Sequence, residues 1–81
     1  MITARQIRAA RALVGLGQLE LADRAGIGVA TLRRIEAAID QVTGSAKTIV
    51  QIQKALEASG IVFIDPDRNG GPGVRLHKRL P

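Results

Sequence analysis

Few side chains in this sequence could do covalent or metal chemistry, and their spacing argues against each use. There is no cysteine among the 81 residues, so thiol catalysis, disulfide staples and zinc-thiolate sites are excluded together. His77 is the single histidine and has no acidic neighbour to serve as a base partner or a second metal ligand. Asp65, Asp67, Asn69 and Gly70 copy the opening half of a calcium loop. The twelfth position of that loop is Leu76 rather than glutamate, and the run before it reads as strand instead of helix. A plain turn is the expectation there. Gly15-Leu16-Gly17 lacks the third glycine and the preceding strand of a dinucleotide site. No nucleophile stands beside a base. The expectation is a protein that is not an enzyme, with no catalytic residue, no metal, no cofactor and no small-molecule ligand.

What the sequence holds in quantity is positive charge, mostly arginine. Twelve Lys and Arg against seven Asp and Glu leave a net charge of +5. Arginine suits planar, bidentate recognition of phosphates and base edges better than lysine does. The charge is unevenly placed. Residues 1–36 carry six basic and three acidic groups, residues 37–67 two and four, and residues 68–81 four and none. A neutral-to-acidic middle between basic ends points to a polyanion as partner, against the plainer reading of a solvated basic surface.

Those arginines must be positioned by a small scaffold. A chain of this length makes one domain with a modest core. Its apolar fraction of 46% is too high for a disordered tail, and with Phe63 the one aromatic residue the core must be aliphatic. No apolar run approaches the roughly 18 residues of a membrane span, and no signal peptide opens the chain. A soluble, cytoplasmic protein is the expectation.

Thr3 with Gln6 forms a capping box and Ile2 with Ile7 a hydrophobic staple, so a first helix starts near Ala4. Ile7, Ala10, Leu13 and Val14 make its apolar stripe, with Arg5, Arg8 and Arg11 on the other side, and Gly15 ends it. Gln18 to Arg24 allows a two-turn helix facing inward through Leu21 and Ala22. Ala25-Gly26-Ile27-Gly28 breaks it. A third helix runs from about Val29 to Ala38 and buries Leu32, Ile35 and Ile39. Asp40 to Gly44 reads as loop. Ser45 or Thr48 caps a fourth helix with Ile49, Ile52 and Leu56 inward, ending near Ser59 and stopped by Gly60. Ile61 to Ile64 is a short apolar strand, residues 65–73 an irregular connection, and Val74 to His77 a second strand with one wet face.

Two short helices around a four-residue, glycine-containing break, in a basic helical chain, form a helix-turn-helix pattern. Projected at about 100° per residue, the third helix turns Ala30, Arg33, Arg34 and Ala37 away from its buried side, with Val29 at the leading edge. Two arginines between small residues can enter a major groove without obstruction, and arginine bidentate to guanine is the commonest specific contact there. The ordinary alternative is a solvated arginine pair.

Gln18-Leu19-Glu20-Leu21-Ala22, then Gly26-Ile27, then Leu32 and Glu36, together with the lead-in Arg11, Gly15, Leu16, resembles the lambda-repressor-like family of regulators, the Cro/CI or xenobiotic-response-element type. The resemblance covers residues 3 to about 59. It implies a mainly α fold, a four-helix helix-turn-helix domain over residues 1–60, to which the strand pattern adds a C-terminal two-stranded β appendage over residues 61–81. It also implies sequence-specific binding of double-stranded DNA as a transcriptional regulator of bacterial or phage type, associated with the nucleoid. Carried over residue by residue, it gives Gln18 as a phosphate contact and Val29, Ala30 and Arg34 as base-reading positions, with Arg33 reaching base or backbone and Thr31 a further DNA-binding candidate. It pairs Arg11 with Glu36 in a structural salt bridge. Gly17 and Gly28 depart from it, standing where the family usually caps its helices with Ser or Thr. Arg5 and Arg8, on the outward side of the first helix, are candidate phosphate contacts.

The C-terminal segment lies outside the resemblance. Ile61, Val62, Phe63 and Ile64 put apolar side chains on both faces of a strand, and an isolated two-stranded hairpin is marginal in water. The expectation is a homodimer held by these four residues with Val74 and Leu76, binding a palindromic operator. The alternative is an antitoxin or antiactivator type of interaction module that grips a protein partner through the same strand. Recognition of single-stranded RNA is disfavoured because the chain has one aromatic residue on which to stack bases.

Overall fold

In the computed structural model, which describes residues 1–39 and 44–79, four helices and a two-strand antiparallel sheet follow one another along the chain. They are α1 (Ala4–Val14), α2 (Gln18–Ala25), α3 (Val29–Glu36), α4 (Ala46–Ala58), β1 (Ile61–Ile64) and β2 (Gly73–Leu76). The fold is mainly α.

The local signals act as written in the sequence. Thr3 Oγ1 accepts the Gln6 amide at 3.1 Å and Gln6 Oε1 accepts the Thr3 amide at 2.8 Å, a reciprocal capping box at the start of α1. Gly15 and Gly26 close α1 and α2 with φ of 71° and 70°. That left-handed conformation is easy for glycine and strained for any residue with a Cβ, so both helices stop there. Ser45 rather than Thr48 caps α4, its hydroxyl accepting the Thr48 amide at 3.2 Å.

One core joins all the elements. Ile7, Leu21, Leu32, Ile35, Ile49, Ile52 and Leu56 are fully buried, with Ile2, Ala10, Ala22, Ala25 and Ile61 completing the cluster. Each large aliphatic side chain removed from water in this way stabilises the fold by about 1.5–3 kcal/mol. Phe63 and Val74 are half-buried and pack on the same cluster, which seats the sheet against the helices.

Three expectations require correction. Ile39 is 66% exposed, because α3 ends at Glu36 and Ile39 lies beyond the helix whose periodicity would have buried it. Leu13 is 45% exposed, at the outer margin of the stripe formed by Ile7, Ala10 and Val14. The second strand starts one residue early, at Gly73. Its register pairs Ile61 with Leu76, Val62 with Arg75, Phe63 with Val74 and Ile64 with Gly73. His77 follows the strand and donates its amide to the Gly60 carbonyl at 2.6 Å. The expected loop residues Asp40 to Thr43 lie outside the described residues. Between the strands, Asp67 Oδ1 accepts the amides of Asn69 at 2.7 Å and Gly70 at 3.1 Å, so the Asp-rich run builds a tight side-chain-braced turn.

Candidate nucleic-acid interface

The site is organised by α3. Leu32, Ile35 and Glu36 are its buried residues, so the rest of its surface is fixed by exclusion. Ala30, Arg33, Arg34 and Ala37 face solvent, while Val29 and Thr31 are half-buried. Neither arginine has an ion pair or a hydrogen bond among the described residues. Two guanidiniums thus stand ready between alanines that add little bulk. Val29, expected at the reading edge, instead packs partly against the core cluster and has correspondingly less surface for a base.

Glu36 is the one buried acid among the described residues, and three N–H donors meet its carboxylate. Arg11 Nη2 donates to Oε1 at 2.7 Å and Arg11 Nε to Oε2 at 2.8 Å, a bidentate fork. Gln18 Nε2 donates to Oε1 at 3.1 Å. The hydrogen bonds that Arg11 donates to Glu36 are the main reason its guanidinium sits above its ordinary pKa, with burial opposing and charge attraction adding. Arg11 Nη1 also donates to the Leu16 carbonyl at 3.1 Å, in the connection between α1 and α2. One carboxylate therefore ties together α1, the start of α2 and the end of α3. No buried side-chain polar atom among the described residues is left without a partner.

The arrangement alters how two of the sequence candidates are read. The amide nitrogen of Gln18 is turned inward to Glu36, and the side chain is half-buried at the first residue of α2. Arg8, a candidate phosphate contact, is turned onto the end of α3: Nη1 donates to the carbonyl of Glu36 and to that of Ala38 at 2.9 Å. Arg5 takes a different direction. It is exposed and lines a shallow groove with Thr3, Ala9, Pro72 and Val74, between α1 and the loop that precedes β2.

The glycine N-caps of α2 and α3 have ordinary extended backbone, with φ of −76° at Gly17 and −72° at Gly28. At Gly17 half of a capping box survives, because Glu20 Oε1 accepts the Gly17 amide at 3.2 Å. At Gly28 no side chain caps α3.

Sequence reasoning missed Gln6. Its capping role was legible, but the other end of its amide holds the sheet: Nε2 donates to the carbonyls of Gly73 at 2.9 Å and Ile64 at 3.2 Å. The only local signal was the capping box that had already explained it.

The helix-turn-helix formed by α2, the turn at 26–28 and α3 thus presents on its second helix two arginines without partners among the described residues, held from behind by a buried ion pair. A helix-turn-helix family model matches residues 7–60. No curated protein matches the chain. The match spans both helices of the motif, the Glu36 junction and all of α4, and on it the chain belongs to the Cro/CI-type helix-turn-helix family of DNA-binding transcriptional regulators.

Proposed function

We propose that the chain acts as a homodimer on a palindromic operator, each protomer placing α3 in the major groove. The observation that carries this reading is the pair Arg33 and Arg34, exposed and unpartnered among the described residues, between Ala30 and Ala37. Ala30, Arg33 and Arg34 reach base edges; Val29 and Thr31 lie at the groove margin; Gln18, at the start of α2, meets the flanking phosphate with what its bond to Glu36 leaves available. Arg5 is the remaining candidate for a backbone contact. Such a regulator works on the nucleoid, in the cytoplasm.

Dimerisation is supported by the sheet. A two-strand sheet has an unpaired edge on each strand, and Ile64 and Leu76, on opposite faces of the sheet, are 38% and 40% exposed. Ile61 is removed from this role, because it is buried in the chain's own core. Val62, Phe63 and Val74 are half-buried, Val62 on the face of Ile64 and the other two on the face of Leu76, where they pack on the chain's own core. Edge-to-edge pairing with a second copy would satisfy an open strand edge, extend both faces of the sheet beside Ile64 and Leu76, and set two reading helices about one DNA turn apart.

The test selects duplexes from a random-sequence pool with the full chain, then measures mass by light scattering with and without the selected duplex. Inverted repeats with centres about 10 bp apart, bound by a dimer, are the expected result. A chain that stays monomeric at micromolar concentration and binds a single half-site tightly overturns the dimer.

A further inference from the structure

The reading helix cannot hold its own end. α3 has eight residues, well short of the roughly 12–15 at which an isolated helix becomes even marginal in water. α1 and α2 close on left-handed glycines, whereas the C-cap of α3 is Ala37 in ordinary right-handed geometry. Its last carbonyls therefore need partners from elsewhere. Arg8 of α1 supplies one: a single guanidinium nitrogen donates to both the Glu36 and Ala38 carbonyls, and the cation sits at the negative end of the helix dipole. Arg11, one turn further along α1, takes the carboxylate of the same Glu36. Main chain and side chain of one residue are thus gripped by two arginines of one neighbouring helix.

We propose that Arg8 is a positioning residue for DNA reading: it fixes the last turn of α3, which carries Arg33 and Arg34, and touches no phosphate itself. The inference rests on those two arginines reading bases. A bidentate contact to guanine demands a fixed helix, whereas a phosphate contact tolerates a frayed one. Loss of Arg8 should therefore damage discrimination before it damages general affinity.

The probes are the duplex selected by the wild-type chain and a scrambled duplex of the same composition. Arg8→Met is expected to bind the selected duplex about tenfold more weakly, the loss of one hydrogen-bonded charge, and the scrambled duplex within about twofold of wild type. The slope of log K against log salt should be unchanged. A slope reduced by about one makes Arg8 a phosphate contact and overturns the proposal. Affinities for both duplexes that the substitution leaves unchanged overturn it as well. Arg8→Lys, with the charge kept but the reach and planar geometry of the guanidinium lost, is expected in between, and takes the place of Arg8→Met if that variant does not fold.

Amide hydrogen exchange on the free protein gives a readout independent of DNA. The amides of Ala37 and Ala38, which bond to Arg33 and Ile35 carbonyls, should exchange faster in the variant while that of Leu21 does not change. If the wild-type chain selects no duplex, the DNA reading fails while this measurement still decides the clamp. Unchanged exchange at both alanines would refute it.

Discussion

Glu36→Gln tests the junction on which the reading helix depends. The carboxylate accepts three hydrogen bonds, two from Arg11 and one from Gln18. A glutamine amide keeps one acceptor oxygen and points an NH2 at donors, so the fork is lost and a donor faces a donor. Two limits bracket the cost. A solvated ion pair contributes about 0–1 kcal/mol, and removing one partner of a buried pair costs about 3–5 kcal/mol. The Glu36 side chain is 3% exposed and that of Arg11 21%, so the abandoned guanidinium regains some water. About 2–4 kcal/mol is the resulting expectation, against a total stability of about 4–12 kcal/mol for a domain of this length. At roughly 4–8 °C per kcal/mol, the melting temperature should fall by about 10–25 °C, read by far-ultraviolet circular dichroism. The Arg11 guanidinium is raised above its ordinary pKa by Glu36. Its contribution is therefore complete below that ordinary value and lost only as pH rises beyond it, so the difference between variant and wild type should be flat from about pH 6 to pH 9. A double-mutant cycle with Arg11→Met should return a coupling of at least about 1 kcal/mol. A drop of less than about 4 °C, or a coupling near zero, would show that the pair behaves as solvated and that the junction is held by packing alone.

Arg34→Ala should weaken binding to the selected duplex by about 1–3 kcal/mol and leave the scrambled duplex nearly unaffected, as gel shifts at fixed salt will show. Because Arg34 is exposed with no partner among the described residues, its melting temperature should match wild type. Equal losses on both duplexes would demote it to a backbone contact. Gly28→Ser should raise stability by a few tenths to about 1 kcal/mol, since a serine caps better than glycine and restricts the unfolded chain. The space is available: a Cβ at Gly28 would meet Thr31 Oγ1 at 3.9 Å, an ordinary contact, and φ there is −72°. A lower melting temperature in that variant would mean that the start of α3 needs glycine for a reason other than backbone conformation.

The elements were legible wherever the deciding interaction is short-range in sequence. The capping box at Thr3 and Gln6, the glycine stops at 15 and 26 and the inward stripe of α4 all join residues a few positions apart, and each could be read directly. Errors came where a period was carried past its element. Ile39 fits the phase of α3 but stands three residues beyond its end, where the phase has no meaning. Ile61 is apolar on a two-faced strand, and nothing local distinguishes cover by the chain's own helices from cover by a second copy; the core took it.

The site shows the same division more sharply. Ala30, Arg33 and Arg34 could be placed outward because a helical projection separates a helix's own faces. The same projection made Arg8 look outward too, and in the frame of α1 it is away from the stripe. What the projection cannot contain is the end of α3 lying across that side, 28 and 30 residues further along the chain. Gln6 repeats the lesson at separations of 58 and 67 residues, where one amide satisfies a local cap and a distant sheet at once. Both are polar side chains whose partners are main-chain carbonyls, which every residue carries, so no pairing of residue types could have announced them. The consequence for function is physical. A short helix with no side-chain cap at its start and no glycine at its end takes its geometry from its neighbours. The arginines proposed to read DNA are therefore only as well placed as the arginines of α1 that hold the helix beneath them.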